Sequence, residues 1–178
     1  MGIAIDSKKE SSILFQLKSG RQKDPLTALA TIKDIHAFDE SIEINAYGNL
    51  SRNEVPNFVN YYKDPSDVML ANLMNRSSIF VTTSRIEGTP FPPLEAMSCG
   101  CAVVSTDSVG IRSYLIDGHN GLLADVGSNG AITEAIFKLL SDRNLRVGIA
   151  LNGRKTALNY SYENMYNAFL KALAELQQ

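Results

Sequence analysis

The sequence predicts an α/β domain built on a doubly wound parallel sheet. Short runs rich in β-branched residues are bounded by loops, as expected of parallel strands that are buried on both faces. Segments with apolar residues at helical spacing alternate with these runs. The length of 178 residues suits one domain with a sizeable core, so residues 1–178 are expected to form a single unit. In such a fold the ligand binds at the carboxyl ends of the strands.

Five strands are predicted in chain order. They are residues 12–17, 42–47, 58–62, 79–82 and 102–105, of which the third is the least clearly defined. A turn at residues 117–121 leads into the brief apolar pair Leu122 and Leu123. The predicted helical segments are residues 25–38, 65–76, 110–116 and, with breaks near residues 142 and 160–161, residue 129 to the end.

Two glutamates, Glu87 and Glu95, are separated by seven residues that include one glycine and three prolines. Proline biases the residue before it away from the helical region and suits the first helical position, so Pro93 is predicted to begin a helix. Glu95 then lies in the first turn of that helix, and Glu87 lies at the mouth of the strand before it. Pro92 has no side chain that can cap this helix. The free N–H groups at the start of the helix are therefore expected to face an anion.

Composition excludes several classes of protein. A net charge of −2 and a pI of about 5.7 leave no basic stripe for a nucleic-acid backbone. No run approaches the roughly 18 apolar residues of a membrane span, and the amino terminus is too short and too polar for a secretory signal. The chain is therefore expected to be cytoplasmic, with small or neutral partners and no evident membrane contact.

Residues suited to metal or nucleophilic chemistry are scarce. The two histidines, His36 and His119, are too few for a histidine-rich metal site. Cys99 and Cys101 form a C-x-C pair without a second ligand pair, so both are expected to be buried thiols. Dinucleotide-binding and P-loop motifs are missing, and no Ser-His-Asp arrangement stands out. No metal and no cofactor are expected.

Residues 84–104 resemble the signature of retaining glycosyltransferases of the GT-B fold, especially glycosyltransferase family four. The two glutamates and the Leu-Glu-Ala-Met-x-x-Gly tail carry the likeness, and Gly110 and residues 117–123 extend it. Enzymes of this kind have two Rossmann-like domains, one for the acceptor and one for the nucleotide-sugar donor. This chain resembles the carboxyl-terminal, donor-binding half alone, which implies that the acceptor-binding domain is missing from it. Residues 163–178 would form the helix that crosses back toward that domain.

The resemblance implies a role for each candidate residue. Glu87 would lie in the catalytic region beside the donor sugar, and Glu95 would bind the ribose hydroxyls. The cations expected at the donor diphosphate are Lys18 and Lys23, which have the family's spacing, with Arg21 as the competitor of Lys18. The backbone donors expected there are those of Gly88, Thr89 and Phe91, in a loop where Pro90 replaces the family's usual glycine and removes one N–H group.

The function implied is transfer of a sugar from a nucleoside-diphosphate sugar to a saccharide or a lipid-linked acceptor, with the isolated domain inactive. Departing diphosphate carries developing negative charge, which fixed cations and N–H donors would stabilise. Two alternatives stay open. One is a non-catalytic nucleotide-binding or interaction module of the same fold, and the other is a related sugar-nucleotide epimerase or phosphorylase.

Overall fold

The computed structural model describes residues 9–161 together with residues 163, 164, 166 and 170. The strands are β1 (Lys9–Leu17), β2 (Glu43–Gly48), β3 (Asn60–Lys63), β4 (Ser77–Thr82), β5 (Ala102–Thr106) and β6 (Leu122–Ala124). The helices are α1 (Pro25–Phe38), α2 (Asp67–Arg76), α3 (Phe91–Ser98), α4 (Asn129–Ser141) and α5 (Arg143–Asn159). None of the described helices is long and apolar enough to cross a membrane.

The six strands form one parallel sheet in the order β3-β2-β1-β4-β5-β6. The predicted doubly wound parallel sheet is therefore confirmed. The chain builds outward from β1 in one direction and then, after β3, crosses back to place β4 on the other side of β1. Loops on either side of such a switch point diverge and leave a crevice between the carboxyl ends of β1 and β4.

Side chains of the central strands alternate between two hydrophobic layers, one on each face of the sheet. Ile13, Phe15 and Leu17 of β1 join the layer that also contains residues of α1 and α4. Leu14 points to the opposite layer, together with Phe80 of β4 and residues of α3. Because all of these side chains are buried, β1 is held on both faces and its carboxyl end is a rigid support for the loop that follows.

Helices α1, α2 and α5 each begin directly after a residue whose side chain caps the helix. Asp24 caps α1 and Pro25 is its first residue, the position where a missing N–H group costs least. Ser66 caps α2 through the N–H group of Met69, so this helix begins at Asp67 rather than at the predicted Pro65. Asp142 caps α5 and marks the predicted break between α4 and α5.

Three other predictions need correction. The third strand begins at Asn60 rather than Phe58, because the ring of Phe58 stacks on His36 with 3.7 Å between the ring centroids. Residues 122–124 form a sixth strand, which was predicted only as a short apolar run. The helix predicted over residues 110–116 is a single 3₁₀ turn, Ile111–Ser113. The predicted last helix, residues 163–178, lies largely outside the described residues.

Candidate functional site

Two loops meet at the switch point and form the walls of the crevice. Residues 18–24 follow β1, and residues 83–90 follow β4. Arg85 donates its backbone N–H to the carbonyl of Gln22 at 2.7 Å. The buried hydroxyl of Thr83 contacts the carbonyls of Asp24 at 3.0 Å and Lys23 at 3.2 Å. These hydrogen bonds hold the two loops in one fixed arrangement.

An ion pair joins the two loops directly. Lys23 Nζ lies 2.5 Å from Glu87 Oε1, and the Glu87 side chain is only 16% exposed. The structure thus brings together two of the predicted site residues, a cation expected at the diphosphate and the acid expected beside the sugar.

The segment after β5 supports the Glu87 loop from behind. A Cβ atom added at Gly110 would lie 1.4 Å from the carbonyl oxygen of Gly88, so any larger residue at this position would displace the loop. The hydroxyl of Tyr114 donates to the carbonyl of Pro90 at 2.6 Å. Burial and the nearby charge of Glu87 raise the pKa of Tyr114, which keeps this hydroxyl protonated as a donor.

Helix α3 begins two residues earlier than predicted. Phe91 is its first residue, and Pro90 precedes it without a side-chain cap. Pro92 and Pro93 occupy the second and third positions, where an N–H group has no partner within the helix in any case. Phe91 is therefore the only one of the first three helical residues with a backbone donor, and the helix start offers an anion fewer N–H groups than expected.

Glu95 lies in the second turn of α3, not the first, and its surroundings differ from those of Glu87. Partial burial, followed by the nearby negative charge of Asp67 on α2, raises the pKa of the Glu95 carboxyl. The hydroxyl of Tyr47, at the end of β2, is buried close to Gln16 without a hydrogen bond of normal geometry. Burial and the charge of Glu95 raise the pKa of Tyr47. The charge of Glu95 therefore acts on the end of β2, and the charge of Asp67 on α2 acts on Glu95, while the Glu95 residue also lines a cavity of about 380 Å³ between α3 and α5.

The other two predicted cations are not in contact with either glutamate. Lys18 lies 3.8 Å from Asp64, a residue after β3 that adopts a left-handed conformation with φ of 42°. Arg21 is exposed and lines a shallow cavity of about 460 Å³. Arg85 lines the same cavity. Gly88, Thr89 and Phe91 are exposed at the crevice, where their backbone donors were predicted.

Asp24 and Arg85 are parts of this site that were not predicted. Arg85 Nη2 lies 2.8 Å from Asp24 Oδ2, and the Asp24 side chain is only 6% exposed. Asp24 has a local signal, since an aspartate before a proline is typical of a helix N-cap. Its partner Arg85 is far away in sequence, so nothing near Asp24 indicates the ion pair.

Residues suited to metal binding are not clustered in the part of the chain that the structure describes, where no three His, Cys, Asp or Glu side chains are arranged to hold a metal ion. The thiol of Cys101 is buried and lies 3.1 Å from the carbonyl of Met74, and Cys99 is half-buried. Asp107, after β5, accepts two hydrogen bonds from Arg112. This hydrogen bonding lowers the pKa of the Asp107 carboxyl.

Comparison with known proteins confirms the resemblance to glycosyltransferases. Residues 40–156 match the family described as glycosyl transferases group 1. Over 141 residues, or 75% of this chain, the sequence is 30% identical to the capsular polysaccharide biosynthesis glycosyltransferase CapM of Staphylococcus aureus. That alignment covers 36% of CapM, so the chain spans about a third of the length of this relative.

Solved structures show the same fold. The carboxyl-terminal domain of a glycosyl transferase group 1 protein (LpcC) from Francisella tularensis matches 87% of this chain and 88% of its own, with a TM-score of 0.73 at 20% identity. Anabaena Alr3699/HepE, solved in complex with UDP, matches 96% of this chain and 50% of its own, with a TM-score of 0.79 at 17% identity. Because the family match extends over most of the sequence and includes the Glu87 loop and α3, the chain belongs to the glycosyl transferases group 1 family.

Proposed function

We propose that this chain is the nucleotide-sugar donor-binding domain of a retaining glycosyltransferase. The ion pair between Lys23 and Glu87 carries the proposal, because it places a cation and an acid together in the crevice at the switch point. The full-length protein would transfer a sugar from a nucleoside-diphosphate sugar to a saccharide or a lipid-linked acceptor.

Each part of the donor would have a matching group in the crevice. Bond cleavage between the sugar and the diphosphate builds negative charge on the departing phosphate, and Lys23 would stabilise that charge. Backbone N–H groups of Gly88, Thr89 and Phe91 would add neutral donors. Once the phosphate replaces Glu87 as the partner of Lys23, the Glu87 carboxylate would be free to face the donor sugar.

The nucleoside would lie toward Glu95. An ionised carboxylate accepts hydrogen bonds from two ribose hydroxyls. Lys18 and Arg21, on the rim of the crevice, are the candidates for a second phosphate contact. The complex of HepE with UDP makes UDP the natural first probe for this chain.

The remainder of the enzyme is also a proposal. Since the chain spans about a third of CapM, the acceptor would be bound by a part of the full-length protein outside this sequence. The donor is the only small molecule that the proposal requires, and no resident cofactor or metal enters it. A cytoplasmic location stays a prediction.

Calorimetric titration with UDP, GDP, ADP, CDP and TDP tests the proposal. We expect one of them to bind with a Kd in the micromolar to millimolar range, about −8 to −4 kcal/mol. Lys23→Ala should weaken diphosphate binding about ten- to a hundredfold, since one charge-assisted hydrogen bond contributes about 1.5–3 kcal/mol. The matched control is Lys33→Ala, which removes an exposed lysine from α1. A folded sample that binds none of the five would favour the non-catalytic interaction module instead.

A further inference from the structure

We infer that Asp24 and Arg85 are positioning residues, which hold the Lys23 loop and the Glu87 loop at the spacing needed for a donor diphosphate. The inference rests on the proposed function and assigns two residues to it that lie outside the predicted donor-binding set. Neither residue needs to touch the donor. Their task is to keep the crevice assembled when the donor separates Lys23 from Glu87.

The structure describes two ion pairs between these loops, and they run side by side. Lys23 and Asp24 are adjacent in one loop, and their partners Glu87 and Arg85 are two residues apart in the other. Donor binding would remove the first pair, because Lys23 cannot serve the phosphate and Glu87 equally. The second pair would then be the ionic link that remains between the two loops.

Asp24 is well suited to this task because its carboxylate is fixed by three contacts. It accepts the backbone N–H of Thr27 at 3.4 Å and the Thr27 hydroxyl at 2.8 Å, and it pairs with Arg85 at 2.8 Å. The carboxylate is thereby locked to the first turn of α1. The residue itself has a left-handed backbone, with φ of 48° and ψ of 57°, at the point where the loop turns into the helix.

Arg85 is also held at both ends. Its backbone N–H bonds to Gln22, and its guanidinium group bonds to Asp24. The guanidinium is 3.0 Å from the Cβ position of Gly127, where a larger residue would have little room. Glu87, two residues later, therefore starts from a fixed backbone.

The decisive variant is Asp24→Asn. Asparagine still caps a helix and tolerates a left-handed backbone, so the exchange removes chiefly the charge that attracts Arg85. Simple electrostatics predicts tighter UDP binding after loss of a negative charge beside the crevice. Loss of a positioning contact predicts the opposite, and we expect UDP binding to weaken about five- to tenfold. The effect on uridine, which lacks the diphosphate, should be less than twofold.

Arg85→Gln is the second variant, since this side chain is half-exposed and its exchange leaves the backbone hydrogen bond to Gln22 in place. It should weaken UDP binding to a similar extent, and the double variant should be no worse than either single one. Asp142→Asn is the matched control, because it makes the same exchange at the N-cap of α5. Asp142 is far from the crevice, since the preceding residue, Ser141, lines a cavity with Ser11 at the opposite edge of the sheet. It should leave UDP binding unchanged.

Calorimetry with UDP, uridine and inorganic pyrophosphate distinguishes the outcomes, and circular dichroism verifies that each variant is folded. If the parent chain binds neither pyrophosphate nor any of UDP, GDP, ADP, CDP and TDP, the proposed function itself fails; if it binds one of the other four instead of UDP, that diphosphate and its nucleoside replace UDP and uridine in the test. If the parent binds them but Asp24→Asn binds UDP equally well or more tightly, the positioning role is wrong. Equal losses for UDP and uridine would also overturn it, because they would indicate a general loss of structure.

Discussion

At the scale of single residues, the two glutamates of the signature occupy different environments. Glu87 contacts a lysine in the opposite loop at 2.5 Å. Glu95 lies on the second turn of α3 and is exposed, but partial loss of its water shell and the charge of Asp67 both raise its pKa, so its ionised form is disfavoured before any ligand binds. A carboxylate that is costly in the free protein and useful to a ligand is typical of a binding residue rather than a stabilising one.

Glu95→Gln should therefore separate stability from binding. The folded state raises the pKa of Glu95 above its ordinary value of 4.5, so its contribution to stability is present below that value and is lost as the pH rises through the folded pKa. The glutamine variant should have a higher Tm than the parent at about pH 7, and the difference should vanish as the pH falls to about 4. Uridine affinity should fall about tenfold or more, because a charge-assisted acceptor is lost.

Thermal denaturation over this pH range and calorimetry with uridine measure the two effects. Glu40→Gln, in an exposed loop, controls for the loss of one negative charge. The assignment of Glu95 to the ribose would be wrong if the variant bound uridine as tightly as the parent.

At the scale of elements, the sequence predicts what is local and misses what depends on distant contacts. Five strands and the start of α1 follow from β-branched runs, helical spacing and Pro25. The sixth strand is three residues long, too short for alternation to be visible. The start of α3 was placed two residues late, because two consecutive prolines both fit in its first turn. The ion pair of Asp24 with Arg85 joins two loops that are separated in sequence by β2, β3 and the helices next to them. No local pattern in either loop indicates this contact.

The predicted roles of the site residues divide in the same way. Lys23 and Glu87 were selected through a family resemblance, and the structure brings them into contact. Lys18, selected for its spacing from Lys23, pairs with Asp64, and its competitor Arg21 lines a shallow cavity, so both lie apart from the glutamates. Whether each of these residues binds the donor stays a prediction.

The close contact between Gly110 and the Glu87 loop should make the chain sensitive to a single added methyl group. Gly110→Ala places a Cβ atom 1.4 Å from the Gly88 carbonyl oxygen, so the Glu87 loop must move. We expect the free energy of unfolding to fall by about 1–3 kcal/mol and UDP binding to weaken. Gly148→Ala is the control, since nothing lies within 4 Å of its Cβ position in α5. That exchange should stabilise the chain by about 0.5–1 kcal/mol and leave UDP binding unchanged. Thermal denaturation and calorimetry would contradict the close-contact argument if the two variants behaved alike.

At the scale of the whole molecule, large apolar side chains are exposed around the crevice. Leu26, Ile86 and Val109 are 76%, 61% and 84% exposed, and they lie at the start of α1 and in the loops after β4 and β5. All three therefore surround the carboxyl edge of the sheet, where the proposed donor site opens. An apolar rim of this kind around a polar crevice suits a surface that another part of the same protein covers during catalysis.

We accordingly expect the 178-residue chain to bind the nucleoside diphosphate of its donor while transferring no sugar, since binding the donor needs only one side of the active site. Release of UDP from a UDP-sugar, followed in a coupled assay, should be detectable for the full-length protein with its acceptor and undetectable for this chain alone.

Val109→Ser should leave the Tm and the UDP affinity of the chain unchanged, because the side chain is already exposed to solvent. The same exchange should lower transfer by the full-length protein. Lys23→Ala should abolish most transfer in the full-length protein through weaker donor binding. Sugar transfer by the isolated chain at a rate near that of the full-length protein would show that one domain is sufficient, and the apolar rim would then have no part in catalysis.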